Sequence, residues 1–386
     1  MSDEFNTSEK TGEELMELYY SIINVQDDEL PETEKEKALA VLTAAADKDS
    51  PDAWGELGAC YYMGLGVEKD DKKASEYLEK AALKDVANAQ LNLYVMQWEK
   101  AQTDEERKNA LFWLWKAAEQ KVPSALYEIG VHYYHGLVYE KDLQKAHDYF
   151  RQAAEAGNPE ALAMMGALYQ QGQCVEADLK KAAEYFAEAA EAGSLMGIFN
   201  LASAYMGGLG VEQDYAEALE GFEMIIDLDD TSLLMPDLSD KETRSDIFLV
   251  YHRLLNYNQV YPMAHHNIGV MCQQGLGVET DASTALYHFM LAAENGYGPS
   301  CLLAGSMLYT GEVMEPQPDK AFEYLTAALN AGIEEAKLFL GIMYYCGEGI
   351  AQDREKGLAF LDELIAVGNI SAIKAKEGLL EGKEVE

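Results

Sequence analysis

The sequence is short of positive charge. It has 29 Lys and Arg against 68 Asp and Glu, a net charge of −39. A phosphate-rich partner would be repelled over most of such a surface, which argues against nucleic acid and anionic membranes as partners. The acidity either serves solubility or steers a basic protein partner in. Cysteine is also scarce. Cys60, Cys174, Cys272, Cys301 and Cys346 form an odd set without common spacing, which is no disulfide framework and fits a reducing cytoplasm. No stretch approaches the uncharged length of a membrane span. The opening MSDEFNTSEKTGEEL has neither the basic nor the apolar region of a secretory leader. A cytoplasmic protein that does not span a membrane is expected.

What the sequence does have is repetition. Residues 123–158 and 159–194 are nearly the same string: Gly130 and Gly166, Tyr133 and Tyr169, Gly136 and Gly172, and Ala146 and Ala182 are each 36 positions apart (166 − 130 = 36). A fixed period in this range signals a stack of similar supersecondary units. The same register holds at 51–86, with Gly58, Tyr61, Gly64 and Gly66. It holds at 87–122, where Tyr94 takes the place of the glycine, and at 195–230, where Ala202 does. It resumes at 262–297, 298–333 and 334–369 with Gly269, Gly305 and Gly341. Residues 15–50 fit only in their second half, through Ala38, Leu42, Ala45 and Ala46, as expected of an end unit with one face in water.

Each unit reads as two helices. In 159–194, Asn158, Pro159 and Glu160 make an N-cap, a proline at the first helical position and an acid in the first turn. Ala161, Met165, Leu168 and Tyr169 follow at helical spacing, and Gly172 ends the helix where a left-handed residue is needed. Asp178 caps the second helix, as Asp70, Asp142, Asp214, Asp281 and Asp353 do in theirs. Ala182, Tyr185, Phe186, Ala189 and Ala190 form its apolar stripe. Small residues such as Gly166 and Ala182 are expected where the two helices cross. Repeated positions of this kind answer to the stack rather than to chemistry.

Five segments follow from this reading. Residues 1–14 are an acidic, disordered lead, and 15–230 are a repeat block. Residues 231–261 break the phase, with a loop around Pro236, a capping box at Ser239 and Glu242, and one extra helix over Arg244–Tyr257. Residues 262–369 are a second block. Residues 370–386 are a capping helix, because Lys376 and Glu377 fall at positions that are apolar or small inside the stack. The apolar run Ile247-Phe248-Leu249-Val250-Tyr251 must be buried, in the chain or against a partner.

The strings YYMGLGVEKDDKKASEYLEKAA in 51–86 and its equivalents resemble the Sel-1-like repeat family, relatives of tetratricopeptide repeats. The resemblance covers 51–230 and 262–369 well and 15–50 weakly, and recurs eight times in register. It implies an all-α, right-handed superhelical solenoid of 36-residue helix-turn-helix repeats. It also implies a non-catalytic adaptor or scaffold for protein complexes. Secreted, cysteine-rich members have been linked to penicillin binding; the unpaired cysteines here depart from that pattern.

Few residues point to chemistry. Penicillin hydrolysis needs S-x-x-K and K-T-G in contact; Ser371–Lys374 and Lys10–Gly12 carry these strings at opposite ends of the chain, without S-D-N. His132 and His135 share a helix face but lack matched further ligands for a metal. His265 and His266 are adjacent and face different ways. The G-x-G of GLGV follows no strand and reads as a turn rather than a phosphate cradle. No catalytic residue, metal or cofactor is expected.

The remaining candidates are bulky side chains on the first helices, expected to line a groove for a protein or peptide. One position after the repeated tyrosine come Tyr62, Trp98, Tyr134, Met206, Tyr309 and Tyr345. About a turn and a half earlier come Tyr127, Phe199 and His266, and His135 joins them. Aromatics of this kind either anchor an extended peptide or partner helix or pack between units. Trp113 is expected in the core, and Trp115, off the pattern, at the surface.

Overall fold

The computed structural model describes residues 7–23, 32–228 and 246–381. Among the described residues there are nineteen helices and no strand. They divide into two compact units, one of Met1–Gly197 with Leu228–Asn256, the other of Ile198–Asp227 with Tyr257–Glu386.

In the first unit the helices are α1 (Gly12–Ile23), α2 (Glu32–Asp47), α3 (Pro51–Met63), α4 (Asp71–Ala82), α5 (Ala87–Lys100), α6 (Asp104–Glu119), α7 (Pro123–His135), α8 (Leu143–Glu155), α9 (Pro159–Gln171) and α10 (Leu179–Glu191). Consecutive helices pair in the predicted registers. Gly172 takes φ +65° at the end of α9, and the Asp178 carboxylate accepts from Lys181 N at the start of α10. The intervening turn is tied by Asp178 N donating to Tyr169 O at 3.0 Å. The same bond recurs from Asp70 to Tyr61 and from Asp142 to Tyr133, so the aspartate serves both the turn and the cap. At the crossing, a Cβ on Gly166 would stand 2.5 Å from Phe186 Cε1. The glycine is required there because the aromatic ring of the second helix occupies the place of a Cβ on the first.

The expected disordered lead is helical from Gly12 onward. Thr11 and Glu14 form a capping box: Thr11 N donates to Glu14 Oε2 at 2.7 Å, and Glu14 N donates to Thr11 Oγ1 at 3.3 Å. Leu15, Met16, Tyr19, Ile22 and Ile23 of α1 then bury against Val41, Leu42 and Ala45 of α2 and Leu57 of α3.

The second unit holds most of α11 (Leu195–Gly207), α12 (Tyr215–Ile226), α14 (Ala282–Glu294), α15 (Gly298–Thr310), α16 (Pro318–Asn330), α17 (Ala336–Cys346), α18 (Arg354–Ala366) and α19 (Ile370–Glu381). Helix α19 buries Ala372, Ala375 and Leu379 against Ile342, Leu361 and Leu364, while Lys376 pairs with Asp362 at its edge.

The phase break differs from expectation. The predicted loop and the Ser239–Glu242 box lie outside the described residues. The extra helix is not separate from the next repeat: α13 runs unbroken over Ile247–Gln274 with Pro262 inside it. A proline interior to a helix removes one backbone bond. Val260, Ala264, Ile268 and Met271 nonetheless carry one buried stripe across it, and that burial holds the helix through the weak point.

Candidate functional site

The first helices of successive repeats form a wall in the first unit. Glu56 on α3, Asn92 on α5 and Glu128 on α7 stand at one repeat position (92 − 56 = 36 and 128 − 92 = 36), and all three are buried. Polar groups at a core-phase position need partners. For Asn92 a partner comes from the inserted segment, which also covers Glu128.

Asp246 caps the start of α13, its Oδ1 accepting from Leu249 N at 3.0 Å. Ile247 N donates to Asn92 Oδ1 at 3.1 Å. The Ile247 and Phe248 side chains are 1% and 2% exposed and belong to the same apolar cluster as Leu91, Tyr94, Tyr127 and Phe150. One turn on, His252 packs edge-on to Tyr127, centroids 5.9 Å apart, and places Nε2 3.6 Å from Glu128 Oε2. Asn256 and Arg253 approach Glu160 of α9. The first turns of α13 therefore lie along the wall from α5 to α9. Of the apolar run, Ile247 and Phe248 are buried in the chain itself, while Leu249, Val250 and Tyr251 are half-buried.

Behind this contact is an enclosed polar chain. Tyr94, which replaces the repeat glycine, is 2% exposed. Its hydroxyl lies 2.7 Å from Glu128 Oε1 and 2.9 Å from His132 Nε2. One hydroxyl proton cannot serve both neighbours. When Glu128 is ionised, Tyr94 donates to it and His132 Nε2–H donates to the Tyr94 oxygen; when Glu128 is protonated, Tyr94 can donate to His132. Burial raises the Glu128 carboxyl to about 7, against the opposing pull of the Tyr94 hydroxyl. Burial lowers His132 and His252 to about 4. The Asp246 carboxyl rises to about 6 through burial, opposed by the Leu249 and Phe248 amides and by Arg253. Burial also raises Glu160, opposed by Ser194, Asn256 and Arg253.

The expected groove residues fall into two sets. Tyr127 and Phe199 are buried at 9% and 6%, contrary to a solvent-facing role, because each ring packs on the aromatic of its own second helix: Tyr127 on Phe150 at 5.7 Å, Phe199 on Phe222 at 5.6 Å. The others retain surface. Tyr62 donates to Glu99 Oε2 at 2.6 Å, and Trp98 packs edge-on to His132 at 4.7 Å. Tyr134 contacts Phe150 and the exposed His135. Met206 is half-buried. In the second unit, His266 Nδ1 lies 2.8 Å from Ser300 Oγ, Tyr309 donates to Glu348 Oε2 at 2.5 Å, and Tyr345 donates to Leu379 O at 3.4 Å. Trp115 is not at the surface as expected: it is half-buried, its Nε1 donating to Tyr139 Oη at 2.8 Å. Trp113 is likewise half-buried rather than core, and Leu114 takes the core position.

Asn92, Tyr94, Glu128, Glu160 and His252 were not singled out from the sequence as site residues. The available signal was the polar ladder at 56, 92 and 128. A cleft of about 310 Å³ lined by Tyr20, Asp52, Glu56, Asn88 and Asn92 continues the wall toward α1. The S-x-x-K and K-T-G strings lie in different units, and Thr11 of the latter is engaged in its capping box. Among the described residues no three His, Cys, Asp or Glu side chains are grouped to hold a metal, and no helix is long and apolar enough to cross a membrane.

The Sel1 repeat family model matches residues 55–86, 123–158, 159–194, 195–230, 262–297, 299–333 and 334–366. The chain belongs to the Sel1 repeat family, whose members are generally non-catalytic, protein-binding solenoid scaffolds. Of the eight fully phased units, the one left unmatched, 87–122, carries Asn92 and Tyr94, and it still forms the helix pair α5–α6. Among solved structures, the Sel1 repeat protein of Oxalobacter formigenes is similar at 25% identity over 92% of this chain and 95% of that one, with a TM-score of 0.52. The protective antigen c5321 of uropathogenic Escherichia coli, which displays an SLR fold, shares 21% identity over 96% and 88% of the two chains, with a TM-score of 0.47. A sel1 repeat protein of Klebsiella pneumoniae shares 21% over 57% and 91%, with a TM-score of 0.37. No curated protein gives a significant match.

Proposed function

We propose that the chain is a non-catalytic scaffold that holds a partner protein or peptide on the wall built by the first helices of its repeats. The observation that carries this reading is the seat of α13: the wall accommodates a helix, offering an amide acceptor at Asn92, an apolar site for Ile247 and Phe248, and carboxylates at Glu128 and Glu160. Partly exposed Tyr62, Tyr134, Tyr309 and Tyr345 are suited to anchor a partner, since aromatics combine large apolar area with a polar tip. The net charge favours a basic partner and speeds its encounter. The test is capture by tagged full-length chain from its native host, quantified by mass spectrometry for wild type and for the Tyr62→Ala/Tyr309→Ala double variant. The reading expects a specific protein held by wild type and lost by at least tenfold in the variant, with both chains equally helical. Equal recovery by both, or no specific protein with either, contradicts it.

A further inference from the structure

The inserted segment is foreign to the repeat, and it covers the surface that the scaffold reading assigns to partners. We propose that residues 246–256 are a built-in stand-in for a partner helix, and that the wall of α5, α7 and α9 takes up a basic amphipathic helix from another protein by displacing them. The proposal rests on the scaffold reading and specifies its partner and its regulation.

Three observations carry it. The first is that the helix pairs of the repeats cross on residues of their own. At the crossings of α7 with α8 and α9 with α10, Phe150 and Phe186 are 0% and 1% exposed and lie against Gly130 and Gly166. The segment joins the apolar cluster of that core through one adjacent buried pair, Ile247 and Phe248. Further along, Leu255 is 45% exposed.

The second is that the contact is poorly matched where charge is concerned. Glu128 Oε2 has no hydrogen-bond donor among the described residues. The group facing it is His252 at 3.6 Å, beyond hydrogen-bonding distance and held neutral by burial. A lysine or arginine at that position would supply the charge that the histidine does not. A charge-assisted bond to a covered carboxylate is stronger than a neutral contact. The wall thus favours a helix with two adjacent large apolar residues followed, five positions after the first of them, by a basic residue. The chain's own segment offers that pattern in weakened form, with Arg253 one position further on beside Glu160.

The third is a release point. Helix α13 contains Pro262, six residues past Asn256. A proline removes the amide that would bond one turn back and disfavours helix at the residue before it. Residues 247–256 can therefore leave the wall by bending a helix that already lacks one backbone bond there, while Val260 and Ala264 remain buried.

The probe is a fluorescein-labelled synthetic peptide with the sequence of residues 246–260, made in native form and with His252→Lys. Binding to the full-length chain is read by fluorescence polarisation, and hydrogen exchange is followed at residues 247–256 and along α7 and α8. The lysine peptide is expected to bind at least tenfold tighter than the native one. On binding, residues 247–256 of the chain lose protection while α7 and α8 keep theirs. Phe248→Ala in the chain, which loosens the resident segment, should tighten peptide binding about tenfold, and Glu128→Gln should erase the preference for lysine. Peptide binding that leaves protection at 247–256 unchanged overturns the proposal. So does failure of both wild type and Phe248→Ala to bind either peptide, and so does an equal affinity for the two peptides. If wild type still captures its host partner while these peptide results fail, the scaffold reading stands and the displacement mechanism falls.

Discussion

Replacing Gly166 by alanine sets two opposed effects against each other at one helix crossing. In the middle of an exposed helix the change would stabilise by about 1 kcal/mol, because glycine gives up more backbone freedom on folding. Here the new Cβ would stand 2.5 Å from Phe186 Cε1, 2.6 Å from its Cδ1 and 3.1 Å from Ala182 O. Carbon atoms in contact sit roughly 3.5–4.0 Å apart, so the methyl is about 1 Å too close. Phe186 is 1% exposed and the third contact is backbone, so α9 and α10 must separate. Overpacking of this kind costs about 1–3 kcal/mol; with the ring and the backbone both fixed, the upper end applies. The net effect is a loss of about 2 kcal/mol, or roughly 4–8 °C in Tm for a unit of this size. Urea unfolding and calorimetry of wild type, Gly166→Ala, Phe186→Leu and the double variant measure it. The loss from Gly166→Ala should shrink by at least about 0.5 kcal/mol in the Phe186→Leu background, since leucine lacks the Cε1 atom. A rise in Tm for Gly166→Ala would refute the close-crossing argument, because helix propensity alone would then account for the position.

Two further predictions concern the enclosed polar chain. Glu128, raised to about 7, keeps in the native state a proton that the unfolded chain releases near pH 4.5, so stability is lost as pH rises through that window; relative to Glu128→Gln, wild type should lose on the order of 3 kcal/mol between pH 4.5 and 8. A constant difference over that range, in urea melts at several pH values, would remove the buried-carboxyl assignment. Tyr94→Phe should cost about 1–3 kcal/mol by stranding Glu128 Oε1 and His132 Nε2, and more at pH 8 than at pH 5.5, since the stranded carboxyl is ionised only at the higher pH; an equal cost at both would contradict the donor role of Tyr94.

The repeat was legible because its constraints are local and recur. An aspartate before the second helix recurs in six of the eight units, and a glycine after the first helix and a small residue at the crossing each recur in seven, so chance cannot supply them. The helical start at Thr11–Glu14 was written in the sequence as T-x-x-E, but lay inside a polar stretch whose composition suggested disorder. What composition and spacing could not show was the destination of Ile247 and Phe248. Their contacts join positions about 155 residues apart, as in the bond from Ile247 N to Asn92 Oδ1, and no local period encodes such a meeting. Pro262 misled for a physical reason: proline suits the first turn of a helix, as in Pro123 and Pro159, yet burial on both sides carries α13 through it. The polar residues at 56, 92 and 128 were the one visible hint, since three buried-phase positions in succession lack an apolar side chain.

The central claim is that residues 246–256 lie on the wall of α5, α7 and α9 within one chain. The most direct measurement is a cysteine pair, Asn92→Cys with Ile247→Cys, in a background with Cys60, Cys174, Cys272, Cys301 and Cys346 replaced by serine. After mild oxidation and non-reducing peptide mapping, the account predicts a disulfide between positions 92 and 247 in protein of monomeric mass, formed in most molecules and reversed by reductant. Free thiols at both positions, or linkage found only between two chains, would contradict it.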